Sequence, residues 1–272
     1  MSAIVDAPVT GRSRIGVYWV LTLEAPEIAA RAEPGQFVTI GTEPVGLLRR
    51  PFSIYRVEGE RVSIAFDAVG PATRWLASCP VGAELSVVGP LGRGFDLSGQ
   101  GDAIVVGGGY GTAALVFIAE RLRATGSPRA VHAIAGARTA DRLFLDHELG
   151  MRFASLTVTT DDGSAGRAGV VTDVLPGLVA SSGAEIVYAC GPNRMLDAVA
   201  RTCATEGVRA NLAFEEFMAC GIGVCWTCVR AVKTPEGIRN LRVCTEGPVF
   251  DGAALPDGAA AAPEAAVGGA AG

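Results

Sequence analysis

The chain has 272 residues, 49% of them hydrophobic and 19% charged, with a net charge of −5. That length accommodates one large or two modest domains with a small appendage, and the apolar share supports a folded core and excludes wholesale disorder. No Lys/Arg run or interleaved aromatic stripe is present, so no nucleic-acid footprint is expected. No stretch approaches eighteen uninterrupted apolar residues, and residues 1–10 carry Asp6 and no signal-like apolar core, so neither a membrane span nor secretion is expected. Seven cysteines then point to a reducing, cytoplasmic setting in which thiols serve metal or redox chemistry.

The first hundred residues predict a small antiparallel β-barrel. Short runs rich in β-branched and aromatic residues lie at 16–23, 37–40, 52–57, 61–67 and 84–88, separated by turns such as Pro34-Gly35 and Glu58-Gly59-Glu60. Residues 73–78 predict one short helix before Pro80, with Thr73 as its N-terminal cap. At the start of one strand stands Arg50-Pro51-Phe52-Ser53. Arg50 offers a fork of donors to a diphosphate and Ser53 a hydrogen bond to a ring edge, although the same string also reads as an ordinary strand start. Gly70-Pro71-Ala72-Thr73 adds a helix N-terminus, a natural seat for phosphate.

From Asp102 the pattern becomes buried strands alternating with helices, the mark of βαβ units and a parallel sheet. Strands are predicted at 103–106, 131–135, 155–160, 185–189 and 209–214, with helices at 113–126, 141–149, 172–179 and 194–206. Gly107-Gly108-Gly109-Tyr110-Gly111 follows a strand and opens a helix, the context a nucleotide loop requires. It departs from Gly-x-Gly-x-x-Gly, and the next strand ends in Ala135-Gly136-Ala137-Arg138 rather than at an acidic residue. Cys190-Gly191-Pro192 forms a second crevice loop or a plain strand-to-helix turn. Cys79, Cys203 and His132 read as core residues, His147 as solvated, and Glu215-Glu216 as solubilising the approach to the next segment. No hydrolytic triad can be assembled from two histidines so placed.

That segment holds Cys220, Cys225, Cys228 and Cys244 in the spacing Cys-x4-Cys-x2-Cys-x15-Cys, with Gly221 and Gly223 in the first interval. Plant-type [2Fe–2S] sites open with this spacing and take a fourth thiolate from further along. Glycines let the loop curl around a cluster. Zinc favours two separated Cys-x2-Cys pairs or added histidines, and disulfides suit small secreted chains, so the spacing favours iron and sulfur. Beyond Asp251 the chain turns to Ala, Gly and Pro, a composition that predicts a disordered tail.

Taken together, these residues resemble the ferredoxin–NADP⁺ reductase superfamily with a C-terminal [2Fe–2S] segment. Within it they are most similar to the electron-transfer subunits of NAD-dependent, two-subunit dihydroorotate dehydrogenase. Arg50-Pro51-Phe52-Ser53 is similar to that family's flavin motif, while Phe66-Asp67-Ala68 and Ala72-Thr73 fall where its further FAD contacts lie. Gly89-Pro90-Leu91-Gly92-Arg93-Gly94-Phe95 resembles a further signature, and Gly107-Gly108-Gly109 with Cys190-Gly191-Pro192 resemble its pyridine-nucleotide loops. Met218-Ala219-Cys220 onward and Val243-Cys244 through Phe250 resemble its cluster segment. Tyr110-Gly111-Thr112-Ala113-Ala114 departs from the family's Ile-Gly-Val-Pro-Pro, and Ala72-Thr73 from its Gly-Thr.

The resemblance implies an FAD-binding barrel at 12–99, an NAD-binding α/β domain at 100–208, a [2Fe–2S] segment at 209–252 and a tail at 253–272. It implies electron transfer between NAD(H), FAD and the cluster, and on to or from the FMN of a catalytic dihydroorotate dehydrogenase subunit in pyrimidine biosynthesis, within a 2+2 heterotetramer. The small subunit of an NAD(P)H:ferredoxin oxidoreductase is built from the same modules. A redox- or metal-sensing regulator without turnover is the third reading.

Overall fold

A computed structural model describes residues 2–43, 45–124, 129–144 and 153–256. Six strands come first: β1 (Ala3–Ile15), β2 (Tyr18–Glu24), β3 (Phe37–Ile40), β4 (Arg50–Glu58), β5 (Arg61–Phe66) and β6 (Glu84–Leu91). They close as β1-β2-β5-β4-β3-β6, and every pairing is antiparallel. The anticipated barrel is therefore present, and closure leaves no open strand edge. Its centre is apolar, with Leu21, Ile40, Ile54, Ile64 and Leu76 fully buried.

Strand β1 is the element that the sequence reading missed. It starts nine residues before the expected boundary and seals the barrel by pairing with both β2 and β6. Its inward residues Ala3, Ala7 and Val9 are small and Pro8 interrupts them, so the period-2 signal is weak. A four-residue helix, α1 (Pro26–Ala29), packs Ile28 into the same core. The helix α2 (Pro71–Ser78) begins earlier than expected because Pro71 is preset for a first helical turn. Gly70 is the cap, and Thr73 sits three residues on, its hydroxyl accepting from the Gly70 N–H at 3.0 Å. Thr73 therefore closes the first turn from inside the helix.

The second unit is a seven-stranded sheet. Its strands are β7 (Ala103–Gly108), β8 (Val131–Ala137), β9 (Ser155–Thr160), β10 (Arg167–Ala168), β11 (Ile186–Cys190) and β12 (Arg209–Ala213), joined later by an edge strand. The order is β10-β9-β8-β7-β11-β12 with parallel pairing throughout this part. Helices α3 (Thr112–Ala124), α4 (Val171–Ser182) and α5 (Asn193–Glu206) cover it. Strand β7 is buried at all six positions, as expected of a sheet covered on both faces. In the described part of the helix expected over 141–149 there is only a 3₁₀ turn, Ala140–Arg142, which ends at the extended Leu143; residues 145–149, with His147, lie outside the described residues. His132 bonds Ser155 Oγ through Nδ1 at 2.8 Å, a satisfied core histidine.

The boundary expected at 209 falls inside this sheet, since β12 is hydrogen-bonded to β11 along its whole length. The cysteine segment follows, carrying the hairpin β13 (Val229–Thr234) and β14 (Gly237–Arg242). The chain then returns as β15 (Val249–Asp251), antiparallel to β12 at the sheet edge. A 3₁₀ turn at Gly252–Ala254 packs on β12 and α5, so ordered structure extends to 256. The rest of the expected tail, 257–272, lies outside the described residues. No described helix is long and apolar enough to cross a membrane.

Candidate functional site

The parallel strands on either side of β7 run to opposite flanks, which opens a crevice at the carboxyl ends of β7 and β11. The two glycine loops meet there. Gly107 is in register with Cys190, and a side chain on Gly108 would strike Met195 Sδ at 2.5 Å and Pro192 Cδ at 3.0 Å. A Cβ on Gly191, which adopts φ +153°, would stand 3.0 Å from the Gly108 nitrogen. Gly111 is equally constrained, because a Cβ would stand 2.6 Å from the Cys190 carbonyl oxygen. Backbone is thus the only surface these loops offer at their closest approach.

Between the loops and the barrel lies a cavity of about 460 Å³, in the range of small-molecule and cofactor sites. Of the residues singled out from the sequence, Arg50, Pro51, Phe52, Ser53, Phe66, Asp67, Thr73 and Cys190 line it. Ala68 and Ala72 do not; Ala72 is buried behind the wall, and Ala68 packs against the barrel core. Gly107, Gly108, Gly109, Gly191 and Pro192 stand at the crevice rather than on the cavity wall. Burial pushes the Cys190 thiol far above its ordinary range, so it stays protonated.

Two lining residues were misread from the sequence. Tyr110 donates its hydroxyl hydrogen bond to Glu215 Oε2 at 2.7 Å, and its ring meets Tyr18 edge-on with centroids 6.0 Å apart. Tyr110 is 40% exposed and Glu215 is exposed as well, and both side chains open on the cavity. The Glu215 charge, ahead of burial, holds the Tyr110 phenol well above its usual value, while burial raises the Glu215 carboxyl. Glu216 is not a solubilising residue either: it pairs with Arg230, which also pairs with Asp197 and lies 3.6 Å over the Phe214 ring. The Asn193 amide donates to the Glu215 carbonyl at 3.0 Å and the Glu216 carboxylate at 3.2 Å. A doubled Glu directly after a buried strand and before the cysteines was the available signal.

The four cysteines stand two by two. The Cys225 N–H donates to Cys220 Sγ at 3.4 Å, while the Cys244 thiol is influenced most among the cysteines by Cys228. The x15 interval follows from the hairpin, whose six-residue arms bring Val243 back so that its N–H donates to the Cys228 carbonyl at 2.7 Å. Gly221 and Gly223 adopt φ +70° and +84°, and a Cβ on either would lie 2.9 Å from a threonine methyl, Thr39 or Thr245. Trp226, at φ +56°, is the one described non-glycine residue with positive φ. Such a conformation is costly and marks a loop whose path is set from outside. Among the described residues, no three side chains are gathered for a single ion. A two-iron cluster shares four thiolates as two pairs, and this donor set fits that demand. Hydrogen bonds from Thr227 lower the exposed Cys225 thiol to about 6, whereas burial pushes Cys244 up to about 12.

Residues 215–255 match the iron-sulfur cluster binding domain of dihydroorotate dehydrogenase B. A curated protein of Caldanaerobacter subterraneus subsp. tengcongensis, named dihydroorotate dehydrogenase B (NAD(+)), electron transfer subunit, is 34% identical over 81% of this chain and 85% of its own. A protein of the same name from Streptococcus mutans is 37% identical over 83% and 87%. The chain belongs to this family of electron transfer subunits. The fold agrees: the structure described as the NADH-dependent reduced ferredoxin-NADP oxidoreductase superposes with a TM-score of 0.81 at 29% identity, covering 93% of this chain and 90% of that one. The ferredoxin reductase in carbazole 1,9a-dioxygenase shares the fold, with a TM-score of 0.65 at 21% identity over 76% and 67%. For a member of this family, the arrangement of Tyr110 against Glu215 is the feature of the cavity that motif reading left unexplained.

Proposed function

We propose that this chain is the electron-transfer subunit of an NAD-dependent dihydroorotate dehydrogenase, acting in pyrimidine biosynthesis. The observation that carries the reading is a continuity of chain: Phe214, Glu215, Glu216 and Met218 line the cavity, and Cys220 follows two residues later. In this reading Arg50, Pro51, Phe52, Ser53, Phe66, Asp67 and Thr73 bind FAD, with Ala68 and Ala72 backing the wall behind them, and Gly107–Gly109 with Cys190-Gly191-Pro192 receive NAD(H). Cys220, Cys225, Cys228 and Cys244 hold a [2Fe–2S] cluster. Once bound, FAD supplies the exchange between hydride and single electrons, and the cluster supplies the one-electron relay. Arg50 neutralises a diphosphate, Ser53 and Thr73 offer hydroxyls, and the aromatic and aliphatic wall excludes water.

The cluster loop presents Phe217, Ile222, Val224 and Trp226, each more than half exposed. Exposed apolar residues gathered around a redox loop suit docking of a partner. The partner in this reading is the FMN-containing catalytic subunit, in a 2+2 heterotetramer in the cytoplasm. A second reading, the small subunit of an NAD(P)H:ferredoxin oxidoreductase-type complex, draws on the likeness to the oxidoreductase structure of TM-score 0.81.

The test is an anaerobic visible spectrum before and after NADH, followed by reconstitution with a candidate catalytic subunit. Flavin and iron–sulfur bands that bleach with NADH, and dihydroorotate-dependent NAD⁺ reduction only with the partner, are the expected results. A colourless chain after reconstitution would sink the electron-carrier reading. Bleaching with activity toward ferredoxin alone would select the second reading.

A further inference from the structure

Thr245 follows Cys244 directly, and its hydroxyl is closed to solvent with no hydrogen-bond partner in the protein. A buried hydroxyl without a partner costs about 1–3 kcal/mol. Such a group in a native fold calls for an explanation, an absent ion among them. The backbone that carries it is fixed in a tight turn, since the Thr245, Glu246 and Gly247 N–H groups all donate to the Arg242 carbonyl.

The surroundings place this hydroxyl at the cluster loop. Its oxygen lies 3.3 Å from where a Gly223 Cβ would stand. The Gly223 N–H bonds the Cys244 thiol, and the Gly223 carbonyl accepts from Arg242 Nη1 at 3.0 Å. Gly223 is thus held by the thiol and the guanidinium, with the Thr245 side chain beside it. By contrast, Thr227 on the opposite arm of the loop hydrogen-bonds the Cys225 thiol. One loop threonine already serves a sulfur, and the other has no acceptor in the protein.

We infer that the Thr245 hydroxyl donates a hydrogen bond to a sulfur of the bound cluster and thereby sets its reduction potential. The inference rests on the proposed cluster at Cys220, Cys225, Cys228 and Cys244. Thr245 is a positioning and tuning residue and not a ligand. Reduction adds one negative charge to the cluster, so a donor to its sulfur favours the reduced form; hydrogen bonds to the sulfurs are among the terms that set such potentials.

The experiment is a redox titration of the full chain with bound FAD, read by the EPR signal of the reduced cluster. Thr245→Val is nearly the same shape without the donor. It is expected to lower the reduced-to-oxidised ratio at fixed poise about tenfold, a drop of about 59 mV for a one-electron couple. Thr245→Ser, which keeps the hydroxyl, is expected to titrate as the wild type, and the flavin couple is expected to stay in place in both. An intact cluster at wild-type potential in Thr245→Val overturns the inference. If Thr245→Val fails to load the cluster, Thr245→Ser against Thr245→Ala decides in the same way, since only the first retains a donor. A wild-type chain without any [2Fe–2S] signal overturns the electron-carrier reading and this inference with it.

Discussion

The Tyr110 hydroxyl and the Glu215 carboxylate meet at 2.7 Å on the cavity wall, although 105 positions separate them in the chain. The contact ties the nucleotide loop after β7 to the segment that runs into the cysteines. It also has a direction in pH. Burial raises the Glu215 carboxyl, and the hydrogen bond from Tyr110 pulls it partly back. Tyr110→Phe removes only that opposing effect, so the carboxyl should rise further. The pH midpoint of flavin reduction by NADH, followed by stopped flow, is expected to move to higher pH in Tyr110→Phe. A downward or absent shift would dissociate Glu215 from the reaction in this cavity.

Arg230 is a buried charge with two carboxylates, its side chain 9% exposed against 12% for Asp197 and 19% for Glu216. Removing the cation strands both anions, so Arg230→Met should cost about 3 kcal/mol of stability. Urea unfolding at unchanged slope measures it. The triple variant Arg230→Met, Asp197→Asn, Glu216→Gln should recover most of that loss. Equal losses in the single and triple variants would mean that packing on Phe214, and not charge, is what matters.

Two glycines separate backbone cost from loop geometry. Gly183 caps α4 at φ +66° with nothing within 4 Å of a Cβ, whereas Gly223 at φ +84° has Thr245 at 2.9 Å. Alanine at either pays about 1–2 kcal/mol for the left-handed conformation. Only Gly223→Ala is expected to lose iron–sulfur absorbance per chain. Full cluster occupancy in Gly223→Ala would show that the loop relaxes around the added methyl.

Cys225→Ser should abolish or destabilise the cluster while FAD binding stays at the wild-type level, since Cys225 lies outside the cavity wall. The visible spectrum separates the two chromophores. A normal cluster spectrum in this variant refutes the ligand assignment.

Much of the molecule was legible because its signals are local. Arg50-Pro51-Phe52-Ser53, the glycine loops and the cysteine spacing each sit within a few residues, and the alternating strands and helices announced a parallel sheet. What escaped was long-range or weakly patterned. The inward residues of β1 are alanines and one valine, too small to print an alternation. Arg230 looked like any strand residue until folding brought α5 and the 214–216 segment against it. Tyr110 was visible as a departure, but its partner was not, because nothing in a linear sequence relates residue 110 to residue 215.

The return of the chain through β15 has a bearing on how such proteins are assembled. Residues 249–251 complete the edge of the sheet on β12, and Pro248 forms a bridge with Arg93 next to β6, where Gly92 has no room for a side chain. The iron–sulfur segment is therefore stitched at its far end to both preceding units. It is not a detachable cassette in the manner of a stand-alone ferredoxin joined by a linker. Cutting the chain before residue 214 would strip the sheet of its last strand and uncover Leu212 and Phe214, so recombination or tagging that separates the module should yield insoluble halves and not two working parts.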